Sequence, residues 1–442
     1  MTMHSARLES LGETDRSLCY NLHRRWLLPV TFSRTMDTEG LYQSLRLPNE
    51  PGTKLMLLVL DGLGDIATSQ TNTLTPLEAA KTPHLDSLAR ASAMGRMIPV
   101  APGITPGSGP GHLGLFGYDP LEYVVGRGVI EALGLGIDLK SGDVAARANF
   151  CTLDSKGIVT DRRAGRIPTE VNEALCEKLR KIKKVGDVEV IIRPGKSHRF
   201  VVVFRGKGIE GPLTDSDPHH EGAPTQKVQA VGKSFKAKKA AKIVNEFYAK
   251  ALPLIAKEHP ANGFLLRGIA HSPKIPFFQD RFGLNAAAIA VYPMYKGLAQ
   301  LIGMKKLEGT NTTREEFETY LAHCDHFDYF FVHVKGTDMA GEDGNFDQKV
   351  AVIEEVDRTL PILLRKQPTV LAITGDHSTP VPMKSHSWHP QPVMLLGPVS
   401  GSDKLERFTE TNANRGSLGV FKSKHLIRLM MANARLFDKF GA

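Results

Sequence analysis

Leu55-Met56-Leu57-Leu58-Val59-Leu60, closed by Asp61-Gly62, is an unbroken apolar run ended by a turn dipeptide. A strand with one wet face alternates apolar and polar residues, because successive side chains point to opposite sides. A run without alternation predicts a strand covered on both faces, as in a parallel sheet between helices. Two later runs repeat the pattern. Tyr329-Phe330-Phe331-Val332-His333-Val334 precedes Asp338, and Val370-Leu371-Ala372-Ile373-Thr374 precedes Asp376-His377. Between them Gln348 to Leu364 carries Val352, Ile353, Val356 and Leu360 at helical spacing. The alternation predicts an α/β fold around a mostly parallel sheet flanked by helices.

The middle of the chain has a different character. Thr169 to Lys181 reads as a helix, and Val188 to Ile192 and Phe200 to Phe204 flank Pro194-Gly195-Lys196 as a β-hairpin. This predicts an inserted α+β domain at 140–265, set into a core of 54–139 and 266–442. Residues 1–53 have scattered arginines and no strong periodicity. They read as a poorly ordered, dispensable extension, with Met36 as an internal alternative start. Glu9, Glu13 and Asp15 argue against a targeting peptide.

Composition narrows the function classes. The four cysteines form no CxxC pair, which argues against a disulfide framework or structural zinc and fits a reducing cytoplasm. No apolar run approaches the length of a membrane span. The formal charge of +9 suits nucleic acid or a small polyanionic substrate. The densest basic run, Lys233 to Lys242, leads into a helical pattern with Ile243, Phe247 and Ile255, so it reads as a solvated helix face. No aromatic-rich nucleic-acid motif accompanies it. A small substrate is the expected partner, without nucleic acid or membrane.

Open α/β sheets form their sites at the carboxyl ends of strands. One Asp after a strand is commonly just a turn residue. Asp61, Asp338 and Asp376 all follow such strands, and His377 and His386 stand near the last. Carboxylate and imidazole together suit Mn²⁺, Zn²⁺ or Mg²⁺. A second segment, Ala101 to Leu113, is rich in glycine and proline and leads into a helical pattern. Its Ser108 has two readings. It can cap the helix. It can also be a nucleophile, because a helix N-terminus favours a phosphate there and a divalent ion can activate the hydroxyl.

Leu57-Leu58-Val59-Leu60-Asp61-Gly62-Leu63-Gly64, the Pro106-Gly107-Ser108 loop running into His112-Leu113-Gly114-Leu115-Phe116-Gly117-Tyr118-Asp119-Pro120, and Gly375-Asp376-His377-Ser378-Thr379-Pro380 together resemble the archaeal-type cofactor-independent phosphoglycerate mutases of the alkaline phosphatase superfamily. The resemblance spans residues 54 to 435 or so. It implies an alkaline-phosphatase-like core that interconverts 3-phosphoglycerate and 2-phosphoglycerate in glycolysis and gluconeogenesis. Ser108 would carry a phosphoserine, and 2,3-bisphosphoglycerate would not be needed. It also implies two divalent ions, Mn²⁺ or Mg²⁺, one on Asp61, Ser108, Asp376 and His377, the other on Asp338, Glu342 and His386. Arg162, Arg267 and Arg281 become candidates for binding substrate. Two positions depart from the family. Glu342 stands where a histidine is usual, with Asp343 beside it as a substitute, and Gly109 stands where an acidic residue is common. Thr214 to His219 also resembles a family segment, but reads locally as an Asx-type turn without a role. The rival readings are a metal-dependent phosphatase or phosphoesterase on the same core, and a non-catalytic binding protein.

Overall fold

The three unalternating runs form strands in which every residue is buried. The computed structural model describes residues 37–441. In chain order the strands are β1 (Leu55–Leu60), β2 (Ala93–Ile98), β3 (Val144–Leu153), β4 (Val159–Asp161), β5 (Lys184–Val185), β6 (Val188–Pro194) and β7 (Arg199–Arg205). They continue with β8 (Gly263–His271), β9 (Ala286–Ala290), β10 (Lys305–Leu307), β11 (Tyr329–Val334), β12 (Val370–Thr374), β13 (Gln391–Leu396) and β14 (Gly419–Lys422). Eight of them make one sheet in the order β10-β9-β11-β1-β12-β13-β2-β14. Only β13 runs against its neighbours, so the sheet is mostly parallel, as the sequence predicts.

The two-residue period of β1 feeds two cores. Leu55, Leu57 and Val59 enter one with Val129, Leu298 and Met430, while Met56, Leu58 and Leu60 enter the other with Phe317, Tyr320 and Val356. Both faces are thus covered by helices, which is why no polar residue interrupts the run. Truncating one of these leucines to alanine costs about 2–5 kcal/mol at sites of this kind.

The middle strands form a separate antiparallel sheet, β4-β3-β7-β6-β5, with β8 also paired to β3. It contains the hairpin β6–β7. Helices Thr169–Leu179 and Phe235–Ile255 cover it with Leu175, Val244 and Phe247. Lys236, Lys238 and Lys242 stay exposed on the second helix, while Ala237, Ala240 and Ala241 are buried. β8 carries this sheet on to His271, past the boundary expected at 265, because β3 needs β8 as a pairing partner. The helix Arg127–Gly134 packs against β3, β8 and the helix Pro293–Leu301, joining the two sheets.

Much of the extension expected over 1–53 lies outside the described residues. Thr38–Leu45 is helical and belongs to a unit ending at Leu45. Residues 46–53 depart from the expectation, because they are tied to the second unit. Leu47 N donates to the Leu436 carbonyl at 2.9 Å, and the Arg46 guanidinium reaches the carbonyls of Asp280 and Arg281, each at 3.3 Å. No helix among the described residues is long and apolar enough to cross a membrane.

Candidate active site

β11, β1 and β12 are neighbours at the centre of the large sheet, so the residues that follow them emerge side by side. Asp61 comes directly after β1, Asp376 two residues after β12, and Asp338 in the first turn of the helix Gly336–Asp343. None of the three is more than 1% exposed. The loops meet closely. Gly62 has φ +62°, and a Cβ there would stand 2.9 Å from Asp338 Oδ1. A Cβ on Gly111 would stand 2.7 Å from the Asp376 carbonyl, so glycine alone lets the helix Ser108–Leu115 approach that loop.

Ser108 opens this helix and Gly107 holds the capping position, which excludes the reading of Ser108 as a cap. The serine Oγ is 3.4 Å from His377 Nε2. That nitrogen also lies 3.3 Å from Asp61 Oδ1 and 3.2 Å from Asp376 Oδ2. On the other edge of the ring, Nδ1 is 4.0 Å from Asp338 Oδ1, and His386 stacks on the ring at 3.6 Å. Two groups of ligand atoms result, Asp61-Asp376-His377 and Asp338-His377-His386, each within 4.8 Å. His377 belongs to both, whereas the expected sets divide the residues without sharing. Glu342 lies outside these groups, with Oε1 3.7 Å from His386 Nε2 and a side chain 56% exposed. Asp343 is exposed too.

Asp61 Oδ1 and Asp376 Oδ2 are buried without a well-aligned hydrogen bond. A buried carboxylate oxygen without a partner costs several kcal/mol or so unless a cation or proton meets it. Facing one imidazole nitrogen, these two oxygens fit a divalent ion that accepts oxygen and nitrogen donors.

Lys335 was not singled out from sequence. Its Nζ stands 2.9 Å from Asp61 Oδ2, 2.5 Å from Asp338 Oδ2 and 3.0 Å from the Tyr295 hydroxyl. Its signal was a lysine directly after a wholly buried strand. Burial works to raise the Asp61 pKa, but the His333 imidazole 3.2 Å away and the charge of Lys335 hold it well below the usual carboxylate range. Burial likewise works to lower Lys335, and Asp61 and Asp338 overcome it, keeping the ammonium charged. For His386, burial opposes protonation, but the Asp338 carboxylate and the Pro106 carbonyl push it up to about 9.

A cavity of about 890 Å³ opens beside Ser108. The large-sheet unit contributes Tyr295, Lys335 and Asp338 to it, and the smaller sheet contributes Arg147 and Arg199. These two arginines also line a second cavity of about 490 Å³, with Arg163, Arg166, His198 and Arg267. Arg147 Nε is buried without a partner. Burial, followed by the charges of Arg199 and other nearby arginines, pushes His198 down to about 4. So dense a cationic wall fits an anion of more than one charge.

The arginines expected at the substrate separate. Arg267 lines the second cavity, with its Nε 3.2 Å from Asp217 Oδ2. Arg162 lines neither cavity, because its fork is committed to Asp217 at 3.0 and 2.7 Å. Arg281 stacks on Tyr118 at 4.8 Å, away from both. Asp217 therefore gives the Thr214–His219 segment the task of holding Arg162 and Arg267. Arg147 and Arg199 were missed, although Arg147 interrupts the apolar run Val144-Ala145-Ala146. At Gly109, a Cβ would stand 2.6 Å from Ile130 Cδ1, so a side chain there requires the end of Ile130 to shift.

Residues 89–262 match the family model of the 2,3-bisphosphoglycerate-independent phosphoglycerate mutases. A probable mutase of that kind from Thermotoga neapolitana is 50% identical over 408 residues, which is 92% of this chain and 100% of the relative. One from Aquifex aeolicus is 47% identical over 405 residues, 90% of this chain and 98% of the relative. The solved cofactor-independent phosphoglycerate mutase of Thermoplasma acidophilum superposes with a TM-score of 0.70 at 31% identity, covering 86% of this chain and 100% of that one.

Proposed function

The chain belongs to the 2,3-bisphosphoglycerate-independent phosphoglycerate mutases, and from that membership we propose that it interconverts 3-phosphoglycerate and 2-phosphoglycerate through a phosphoserine at Ser108. The observation that carries the reading is the seat of Ser108. Its Oγ lies at a helix start, 3.4 Å from an imidazole shared by two carboxylate groups, beside a cavity with an arginine wall.

Asp61, Asp376 and His377 would hold one divalent ion next to Ser108, and Asp338 and His386, with Glu342 at the rim, would hold the second. Mn²⁺ or Mg²⁺ suits these oxygen-rich sets. Such a pair, when bound, draws charge from a transferring phosphoryl group and favours the ionised serine. Ser108 Oγ bonds to phosphorus as the ester bond to glycerate breaks, and the free N–H groups of the helix start face the phosphoryl oxygens. Arg147, Arg199 and Arg267 hold the acid group of the glycerate while it turns. Its other hydroxyl then takes the phosphoryl group back from Ser108. The smaller sheet, which carries these arginines, closes over the cavity and excludes water. This reading makes the protein a cytoplasmic enzyme of glycolysis and gluconeogenesis that needs no 2,3-bisphosphoglycerate.

The test is a ³¹P NMR time course of purified protein with 3-phosphoglycerate and Mn²⁺, without 2,3-bisphosphoglycerate. We expect 2-phosphoglycerate as the main product, and none with Ser108→Ala. Inorganic phosphate as the main product would establish the phosphatase reading. Undiminished turnover by Ser108→Ala would exclude the phosphoserine.

A further inference from the structure

His112 belongs to the glycine-rich motif, yet the proposed reaction gives it no task. It lies one turn past Ser108 on the same helix and is 0% exposed. Its Nδ1 stands 2.8 Å from the Ser108 carbonyl oxygen and 3.1 Å from Asp376 Oδ2. Both neighbours accept and neither donates, so Nδ1 carries the proton. The ring is clamped by Tyr295 at 4.5 Å, His333 at 5.0 Å and Phe331 at 5.6 Å between centroids. Nε2 is buried and makes no hydrogen bond. One N–H, between the nucleophile's own peptide and a carboxylate from another loop, is therefore the whole polar function of this side chain.

A polar side chain that bonds the carbonyl four residues back along its helix is a common local arrangement. It does not require a carboxylate on the far side. That carboxylate is Asp376, whose Oδ1 is already held by the Gly62 N–H at 3.1 Å and whose Oδ2 faces His377. We infer that His112 is a positioning residue for the metal-assisted reaction. Its Nδ1–H, bonded to the Ser108 carbonyl and 3.1 Å from Asp376 Oδ2 without an aligned hydrogen bond, attracts that carboxylate toward the first turn of the nucleophile helix. The ion held by Asp61, Asp376 and His377 and the Ser108 hydroxyl then keep one separation. Metal ligands are generally oriented by polar groups outside the ligand set, and losing one typically costs roughly 10–100-fold in metal affinity or activity. The inference rests on the two-metal phosphoserine reading.

The experiment titrates Mn²⁺ calorimetrically into metal-free wild type, His112→Asn, His112→Gln and His112→Leu. The asparagine amide N–H reaches the place of Nδ1, whereas that of glutamine reaches the place of Nε2. We expect His112→Gln and His112→Leu to weaken one Mn²⁺ site roughly 10–100-fold, and His112→Asn to stay close to wild type. In turnover, kcat should fall in the same order while KM for 3-phosphoglycerate stays put, because the arginine wall is untouched. Equal losses in the asparagine and glutamine variants, or wild-type affinity in the leucine variant, would overturn the inference. If His112→Leu does not fold, the two neutral amides still decide it. A wild type that binds no Mn²⁺ would sink the two-metal reading and this inference with it, a result visible before any variant is made.

Discussion

Lys349 Nζ lies 2.9 Å from Asp65 Oδ2, and solvent reaches neither side chain. The same ammonium donates to the carbonyls of Gly62 at 2.8 Å and Thr379 at 2.9 Å. Asp65 in turn accepts from Val381 N at 3.0 Å. The pair thus fastens the loop after β1 to the loop after β12, the two loops that carry Asp61, Asp376 and His377. Removing one partner strands a buried charge, which costs about 3–5 kcal/mol. Lys349→Met should lose stability on that scale in urea unfolding. Adding Asp65→Leu should then cost less than the two single changes summed. Simple additivity would show that the two groups do not act as a pair.

The arginines make opposite predictions. Arg147→Ala should raise KM for 3-phosphoglycerate while the protein stays folded, since its unpartnered Nε lies in the cavity wall. A charged hydrogen bond is worth about 1.5–3 kcal/mol, so kcat/KM should fall by roughly 10- to 100-fold. Arg147→Lys should recover only part of this, because an ammonium lacks the fork. Arg281→Ala should leave KM unchanged and lower the melting temperature, because that guanidinium lies over Tyr118. Steady-state kinetics of the three variants decides. A rise in KM for Arg281→Ala alone would reverse the assignment.

What could be read from sequence follows from range. An unalternating run such as Leu55 to Leu60 reports its own burial, so the three central strands and the carboxylates after them were legible. The β6–β7 hairpin is also a local matter. Arg281 reads from sequence as a substrate arginine because nothing near it announces Tyr118, over whose ring it lies in the fold. Arg199 was invisible for the same reason. It enters the cavity wall only because β7 pairs with β3, placing it opposite Asn149. Residues 46–53 lack any periodicity, yet Arg46 and Leu47 pair with Phe437 and Leu436. Lys349 reads as an ordinary helix lysine until its acceptors, on two distant loops, are known.

Glu342 stands one helical turn after Asp338, with Oε1 3.7 Å from His386 Nε2. Side chains four apart on a helix share a face, so both can reach one ion. An anionic oxygen from Glu342 at that ion would harden the site. Glu342→Ala should then lose one of two Mn²⁺ ions by elemental analysis, along with most of the activity. Glu342→His should restore occupancy and move preference toward Zn²⁺ or Co²⁺. Two full equivalents of Mn²⁺ and an unchanged rate in the alanine variant would leave the second ion to Asp338, His377 and His386.

Glu316 supports the active site from behind. On the helix Thr313–His323 it is 1% exposed, and its Oε1 accepts from Val291 N at 3.1 Å, just before the helix that carries Tyr295. Burial pushes its carboxyl up to about 9, with the Val291 N–H and the Lys296 charge opposing. The folded state therefore binds this proton more tightly than the unfolded chain, where the value is 4.5. The stability it contributes is complete below the unfolded value and is lost as pH rises through the folded one. Across that window the slope is about 1.4 kcal/mol per pH unit at most. Glu316→Gln keeps the acceptor and the volume but cannot ionise. Other groups titrate alike in both proteins and cancel in the difference. The variant should match wild type in unfolding free energy near pH 4.5 and exceed it increasingly toward pH 8. A difference that stays flat across that range, or narrows, would show that Glu316 is not held protonated in the fold.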